Sequence, residues 1–254
     1  MKKFALIGFP LAQAMSKDFF TEYFLKNNID AQYQLLELED IKEFSKIVST
    51  GNFSGFSGFN VTVPYKEKII PFLDFLDETA QKVGAVNVIA IKNNKLIGYN
   101  TDIYGFNKAV KEFVNLKGKN ALILGTGGAA KAVKYVLDNE SINSKFVSRT
   151  KSENNFTYSE LNKQIIDNHQ LIINATPVGM FPKNDECPKI PYEFLGKSHF
   201  LFDLICKPAK TLFLQKGESF GAKISNGVQM FNHQALDSYR IWTVCYGTFK
   251  AAPF

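Results

Sequence analysis

The sequence predicts an α/β protein in two parts: a mixed-sheet α/β half at the amino end and a parallel, doubly wound half after it. Three observations carry this. Short apolar, branched runs recur along the 254 residues with longer helical patterns between them, the alternation that marks a mainly parallel α/β sheet. Asn93-Asn94 separates two such runs by the length of a tight hairpin turn, so the first half carries an antiparallel member. A glycine-rich junction at Gly125 then opens a second strand and helix series. A chain this long holds one large domain or two modest ones, and either buries a real core.

In the first half the runs at 3–7, 32–38, 58–63, 86–91 and 96–99 read as strands. Helical patterns cover 17–26 and 40–49; the first is entered from Ser16, a good N-cap with Asp18 in its first turn. Residues 59–68 read as a strand that ends at Pro64 and begins a helix. The second series reads as strand 120–124, helix 129–137, strands 145–147, 171–174, 200–204 and 222–224, then a closing helix over 228–246. The expected division is therefore a first domain of 1–102, completed by 228–254, and a second of 103–227.

Thirty basic against 24 acidic residues give a net charge of +6, which fits an anionic ligand. The lysines are scattered apart from short runs such as Lys66 to Lys68, and no nucleic-acid signature accompanies them, so nucleic acid is not an expected partner. Cys187, Cys206 and Cys245 are an odd count without CxxC spacing, pointing to the cytoplasm and away from a disulfide framework. The opening apolar run is cut by Gly8 and Pro10, and no stretch of 18 apolar residues follows, so neither export nor membrane spanning is expected. His169, His199 and His233 lack metal-ligand spacing.

The run 120–124 leads directly into Gly125-Thr126-Gly127-Gly128-Ala129-Ala130, a G-x-G-x-x-A at a strand to helix junction. Gly125 permits the turn, Gly127 lets amides approach a pyrophosphate, and Ala130 allows close packing, while the helix terminus supplies partial positive charge. About 20 residues on, an NAD site would present an acid to the ribose. Here the chain reads Val147-Ser148-Arg149-Thr150-Lys151. A cation in that place suits a 2′-phosphate, so the second half reads as a Rossmann-like domain for NADP rather than NAD.

Strand ends in open α/β sheets carry ligand sites, and three in the first half present short polar side chains: Asn60, Thr62 and Lys66; Gly84-Ala85-Val86-Asn87; and Asn100-Thr101-Asp102. Alone, Lys66 reads as a surface lysine and Asp102 as an N-cap. A nicotinamide enzyme acting on a ketone needs a proton donor beside the carbonyl oxygen. With no histidine in a suggestive setting, Lys66 and Asp102 are the candidate pair.

Taken in order, Asn60-x-Thr62-x-Pro64-x-Lys66-Glu67, Gly84-Ala85-Val86-Asn87, Asn100-Thr101-Asp102-x-x-Gly105, Gly125-x-Gly127-Gly128-Ala129, Ser148-Arg149-Thr150, Asn174-Ala175-Thr176-Pro177-x-Gly179-Met180 and Asn226-Gly227-x-x-Met230-x-x-x-Gln234 resemble the shikimate dehydrogenase family along essentially the whole chain. The resemblance implies reversible NADPH-dependent reduction of 3-dehydroshikimate to shikimate, in the route to aromatic amino acids, with the site in a cleft between two domains. It implies Lys66 and Asp102 as the catalytic pair. Ser16, Thr62, Asn87, Gln234 and Cys206 would face substrate. Gly125, Thr126, Gly127, Gly128, Ala129, Ser148, Arg149, Thr150, Lys151, Thr176, Leu204 and Gly227 would hold NADP. Acting on a small molecule, the enzyme would be a monomer or homodimer.

Two positions depart from the family pattern. Where the family has His-Ser-x-Ser, this chain reads Gln13-Ala14-Met15-Ser16, and Cys206 stands where a substrate-side tyrosine is usual. A hydrogen bond to a charged group is worth roughly 1.5 to 3 kcal/mol, so the missing hydroxyl implies about ten- to a hundredfold weaker substrate binding unless Gln13, Lys17 or water substitutes. Three readings stay open: a shikimate dehydrogenase of lowered affinity, a paralogue acting on a related acid such as dehydroquinate, and a silent NADP-binding module. Retention of Lys66 and Asp102 speaks against the last.

Overall fold

The computed structural model describes residues 1–12, 14–49, 53–243 and 249–251. Gln13 and Cys245, both named above, and the last three positions of the closing helix expected over 228–246 lie outside them. The chain divides into two compact units, Met1–Thr101 with Ala235–Phe254, and Asp102–Gln234.

The first unit runs β1 (Lys2–Gly8), α1 (Ser16–Lys26), β2 (Ala31–Glu37), α2 (Glu43–Val48), β3 (Gly58–Val61), β4 (Phe75–Asp77), α3 (Glu78–Val83), β5 (Val88–Lys92) and β6 (Lys95–Tyr99). Its sheet is mixed, as expected: β1 pairs parallel with β2 and β3, whereas β3 with β5 and β5 with β6 are antiparallel. Asn93 and Asn94 both take positive φ, 49° and 58°, and join Lys92 to Lys95 as a two-residue turn, the geometry hairpin strands require. Ile7, Phe44, Phe59, Ile69 and Ile89 form the core on one face.

The second unit continues with α4 (Asp102–Phe113), β7 (Ala121–Leu124), α5 (Gly128–Asn139), β8 (Ser144–Ser148), β9 (Asn155–Thr157), α6 (Lys163–Asp167), β10 (Leu171–Asn174), β11 (Phe200–Asp203), α7 (Leu212–Ser219), β12 (Lys223–Ser225) and α8 (Val228–Thr243). Its six strands are all parallel, in the order β12-β11-β10-β7-β8-β9. Apolar clusters cover both faces, one around Phe106, Val133 and Phe202, the other around Leu122, Ile172 and Phe213, which is why β7 and β10 read as unbroken apolar runs. A final strand, β13 (Phe249–Ala251), adds to the first sheet antiparallel to β4.

The carboxyl half of α8 belongs to the first unit, and a glycine seats it. A Cβ on Gly58 would meet the Trp242 ring at 2.5 Å. Trp242 instead stacks on Phe4 at 4.4 Å and its Nε1 donates to the Ile89 carbonyl at 3.1 Å.

Three expectations need correction. Ser16 is not the N-cap of α1 but its first residue: Met15 holds the cap place without a side-chain cap, and the Ser16 hydroxyl faces the Tyr33 phenol. No α-helix follows Pro64; residues 62–69 are turns, with Tyr65 N bonded to Thr62 O and Ile69 N to Tyr65 O. The Tyr65 hydroxyl pins this stretch by donating to the carbonyls of Leu38 and Glu39. Residues 40–42 form an Asp40-capped turn, Lys42 N to Asp40 Oδ1 at 2.9 Å, so α2 begins only at Glu43. Among the described residues no helix is long and apolar enough to cross a membrane.

Candidate active site

In the first unit, the strand ends singled out in the sequence share one buried hydrogen-bond chain. Tyr33, whose phenol the Ser16 hydroxyl faces, donates to Asn60 Oδ1 at 2.7 Å; Asn60 Nδ2 donates to Ser238 Oγ at 3.0 Å; and Ser238 Oγ lies 3.2 Å from Thr101 Oγ1. Asn87 closes the chain on Thr101. Burial pushes the Tyr33 phenol well above its ordinary value, against the stabilising bond from Ser16, so it stays a neutral donor. Each link is worth about 1 kcal/mol net, yet leaving one buried partner bare costs about 1 to 3 kcal/mol.

Lys66 is half-buried. Its carbonyl accepts from Val86 N at 2.7 Å, so the turn carrying Lys66 is tied to the strand end that carries Asn87. Thr62 is fixed through its amide to Ile7 O at 2.8 Å, and Gly8 leaves room for its methyl, which a Cβ there would meet at 2.5 Å. Ala14 contributes no hydroxyl; its amide bonds Leu11 O.

In the second unit, buried Asp102 opens α4. One turn on, Gly105 allows α8 to approach: a Cβ there would strike Met230 O at 2.5 Å and Gln234 Cβ at 2.9 Å. Gly105 thereby puts Gln234 beside the first turn of the helix that Asp102 begins.

The glycine loop fits a dinucleotide phosphate. Gly125 has φ +103°, a conformation glycine adopts without penalty. Gly127 is the N-cap of α5 with no side-chain cap, and nothing lies within 4 Å of where its Cβ would be. Thr126, Gly128 and Ala129 complete a first turn without an acid, so its amides and dipole are available to an anion.

After β8, Ser148 is committed to shaping its own turn: its hydroxyl accepts from Thr150 N and Asn155 Nδ2. Arg149 and Thr150 are exposed, and Arg149 faces the Tyr158 phenol, whose burial-raised pKa it counters. Lys151 is held away by both Glu160 oxygens, at 2.7 and 3.0 Å, and by Asn155 O. That pairing, with a backbone bond from Thr157, keeps the Glu160 carboxyl down at about 2.

The last cluster gathers Thr176, Leu204, Cys206 and Gly227. A Cβ on Gly227 would strike Leu204 O at 2.2 Å and meet Cys206 Sγ at 3.2 Å. Burial, then the neighbouring Asp203 charge, pushes the Cys206 thiol up to about 12, so it is a neutral filler at physiological pH.

Sequence reasoning missed Tyr33, Ser238 and Asp203 as parts of these clusters. Ser238 carried a signal, standing four residues after Gln234 on one helix face; Tyr33 and Asp203 sit in apolar strands and gave none.

A parallel α/β unit with an uncapped glycine turn and a cation after its second strand, joined to a mixed α/β unit rich in buried polar side chains, defines a nicotinamide-dependent oxidoreductase. The model of the shikimate dehydrogenase substrate binding domain matches residues 6–89. A shikimate dehydrogenase (NADP(+)) of Pyrococcus abyssi is 36% identical over 97% of this chain and 94% of its own. The structure of the Aquifex aeolicus shikimate dehydrogenase superposes with a TM-score of 0.85 at 33% identity, covering 96% of this chain and 93% of that one. The Thermus thermophilus enzyme, solved with NADP(H) and shikimate, gives 0.85 at 28%, covering 96% and 94%. The chain belongs to the shikimate dehydrogenase family. It is an NADP-dependent oxidoreductase, and both halves of the fold expected from the sequence are borne out.

Proposed function

We propose that the chain catalyses the reversible reduction of 3-dehydroshikimate to shikimate, with Lys66 and Asp102 as its acid/base pair. The observation that carries the pair is the hydrogen bond from Val86 N to Lys66 O beside the two hydrogen bonds that Asn87 and Thr101 exchange, Thr101 being the residue to which Asp102 is peptide-linked. Lys66 gives a proton to the carbonyl oxygen on reduction and takes it back on oxidation, and the Asp102 carboxylate orients the ammonium. NADPH, when bound, supplies the hydride.

Ser16, Thr62, Asn87 and Gln234 take the carboxylate and ring hydroxyls, a set of neutral donors and acceptors suited to a polyhydroxy acid. Cys206 lines the pocket as a small neutral group. Gly125, Thr126, Gly127, Gly128 and Ala129 hold the pyrophosphate; Arg149 and Thr150 take the 2′-phosphate on a turn shaped by Ser148 and braced by Lys151. Thr176, Leu204 and Gly227 seat the nicotinamide. The same reading makes this a cytoplasmic enzyme acting on a small acid as a monomer or homodimer. The test follows NADPH absorbance with 3-dehydroshikimate and 3-dehydroquinate side by side: faster turnover of 3-dehydroshikimate is expected, and preference for 3-dehydroquinate, or no turnover of either, refutes the reading.

A further inference from the structure

Asp203, the last residue of β11, is fully buried, and among the described residues no lysine, arginine or histidine pairs with it. Three neutral donors from three segments meet its carboxylate. Oδ1 accepts from Ile205 N at 3.0 Å and Asn174 Nδ2 at 3.1 Å, and Oδ2 accepts from Thr211 Oγ1 at 2.6 Å. Burial without a counter-charge is costly for a carboxylate, and it pushes this one up to about 6 against the three bonds. A carboxylate kept at such cost points to a task other than stability.

The segments it joins are the two walls of the proposed nicotinamide seat. Asn174 Oδ1 accepts from the Thr176 amide and hydroxyl at 3.1 and 2.6 Å, and the Asn174 carbonyl accepts from Leu204 N at 3.0 Å. Ile205 accepts from Gly227 N at 3.1 Å, which holds Gly227 against Leu204 O and Cys206 Sγ, where no Cβ fits. Thr211 anchors the far end of the same strap and caps α7 through Leu214 N. One carboxylate thus accepts from both walls, and only a group with no proton to donate satisfies three donors at once.

We propose that Asp203 is a positioning residue for the nicotinamide end of the cofactor, acting through Asn174 to set Thr176 and through Ile205 to set the strap against Gly227. The inference rests on the reading of this unit as the NADP site. The other titratable groups facing Asp203 are Cys206 and Tyr192, the latter raised first by burial. Both stay neutral through the physiological range, and Lys207 faces Cys206 rather than Asp203. Asp203 is therefore the group of this cluster that changes charge between pH 5 and 8.

The test is a pair of fluorescence and calorimetric titrations on the full chain without substrate, one with NADPH and one with 2′-phospho-ADP-ribose, which lacks the nicotinamide. Asp203→Asn should raise the Kd for NADPH about tenfold and leave that for 2′-phospho-ADP-ribose within about twofold. Thr211→Val should give the same split with smaller amplitude. The ratio of variant to wild-type Kd for NADPH should shrink as the pH is lowered from 8 to 5, because the wild type takes up its proton there. The 2′-phosphate titrates in the same range, but it is common to both proteins and cancels in the ratio. Equal weakening of both ligands, or of neither, overturns the positioning role. Failure of 2′-phospho-ADP-ribose to bind the wild type overturns the NADP reading itself, and the inference with it.

Discussion

Thr101 and Asn87 hold each other twice: the Thr101 amide donates to Asn87 Oδ1 at 2.7 Å, and Asn87 Nδ2 donates to Thr101 Oγ1 at 3.0 Å. Because a backbone N–H can only donate, this pair fixes which end of the Asn87 amide faces which way. It also fixes the backbone from which Asp102 follows. Asn87→Ala leaves two buried groups of Thr101 without these partners, at about 1 to 3 kcal/mol each. The expected outcome is a KM for shikimate raised by about ten- to a hundredfold, with NADPH affinity within about twofold. A KM within twofold of wild type would remove Asn87 from the substrate site.

Lys66→Ala should lower kcat by about 10² to 10⁴, the scale of acid/base assistance, with NADPH binding unchanged, because the Lys66 carbonyl that accepts from Val86 is retained. Single-turnover kinetics separate this from slow product release. Wild-type-like turnover would take Lys66 out of the mechanism.

Arg149 and Lys151 stand two residues apart and should behave differently. Lys151 is bound to Glu160 and Asn155 O, whereas the exposed Arg149 meets an anion with a rigid fork of donors. Arg149→Ala should cut the preference for NADPH over NADH by at least about tenfold. Lys151→Ala should leave coenzyme preference within about threefold and cost little stability, because an exposed ion pair is screened by solvent. The ratio of kcat/KM for the two coenzymes reads both, and reversed magnitudes would exchange the roles.

What the sequence made legible follows from local physics. The strands of both sheets stood out because burial on two faces demands unbroken apolar runs, and Asn93-Asn94 showed because a type I′ turn requires two left-handed residues. The glycine loop was visible for the same reason, its φ of +103° at Gly125 being glycine's territory. The three-residue strands β4, β9 and β13 and the short helices α3 and α6 were not, since three to six residues carry no full period, and the reading also passed over the longer helices α4 and α7. Nor was the hydroxyl of Ser16: a serine before a helical pattern reads as a cap, and only Tyr33, on a strand 17 positions away, shows otherwise. Pro64 misled in the same way, because the helix-starting rule is blind to the Tyr65 hydroxyl that pins the turn to Leu38 and Glu39.

The carboxyl of Asp203 carries a stability signature with a definite sign. Its pKa in the folded chain, about 6, lies above the value of about 3.9 for an unfolded aspartate. The fold therefore binds this proton more tightly than the unfolded chain does, and the stabilisation is fully present below about pH 4 and lost as pH rises through about 6. Above that, ionised Asp203 costs the fold about 3 kcal/mol. Asp203→Asn removes the ionisation and keeps the size of the side chain at the loss of one of the three accepted bonds, so it should melt at least about 3 °C higher than wild type at pH 8, the difference falling to about half by pH 5 and closing below about pH 4. Thermal melts of the two proteins across that range decide it. If the variant melts lower at pH 8 and no lower at pH 5, the three hydrogen bonds outweigh the burial of the charge, and the carboxylate is there to hold the fold together.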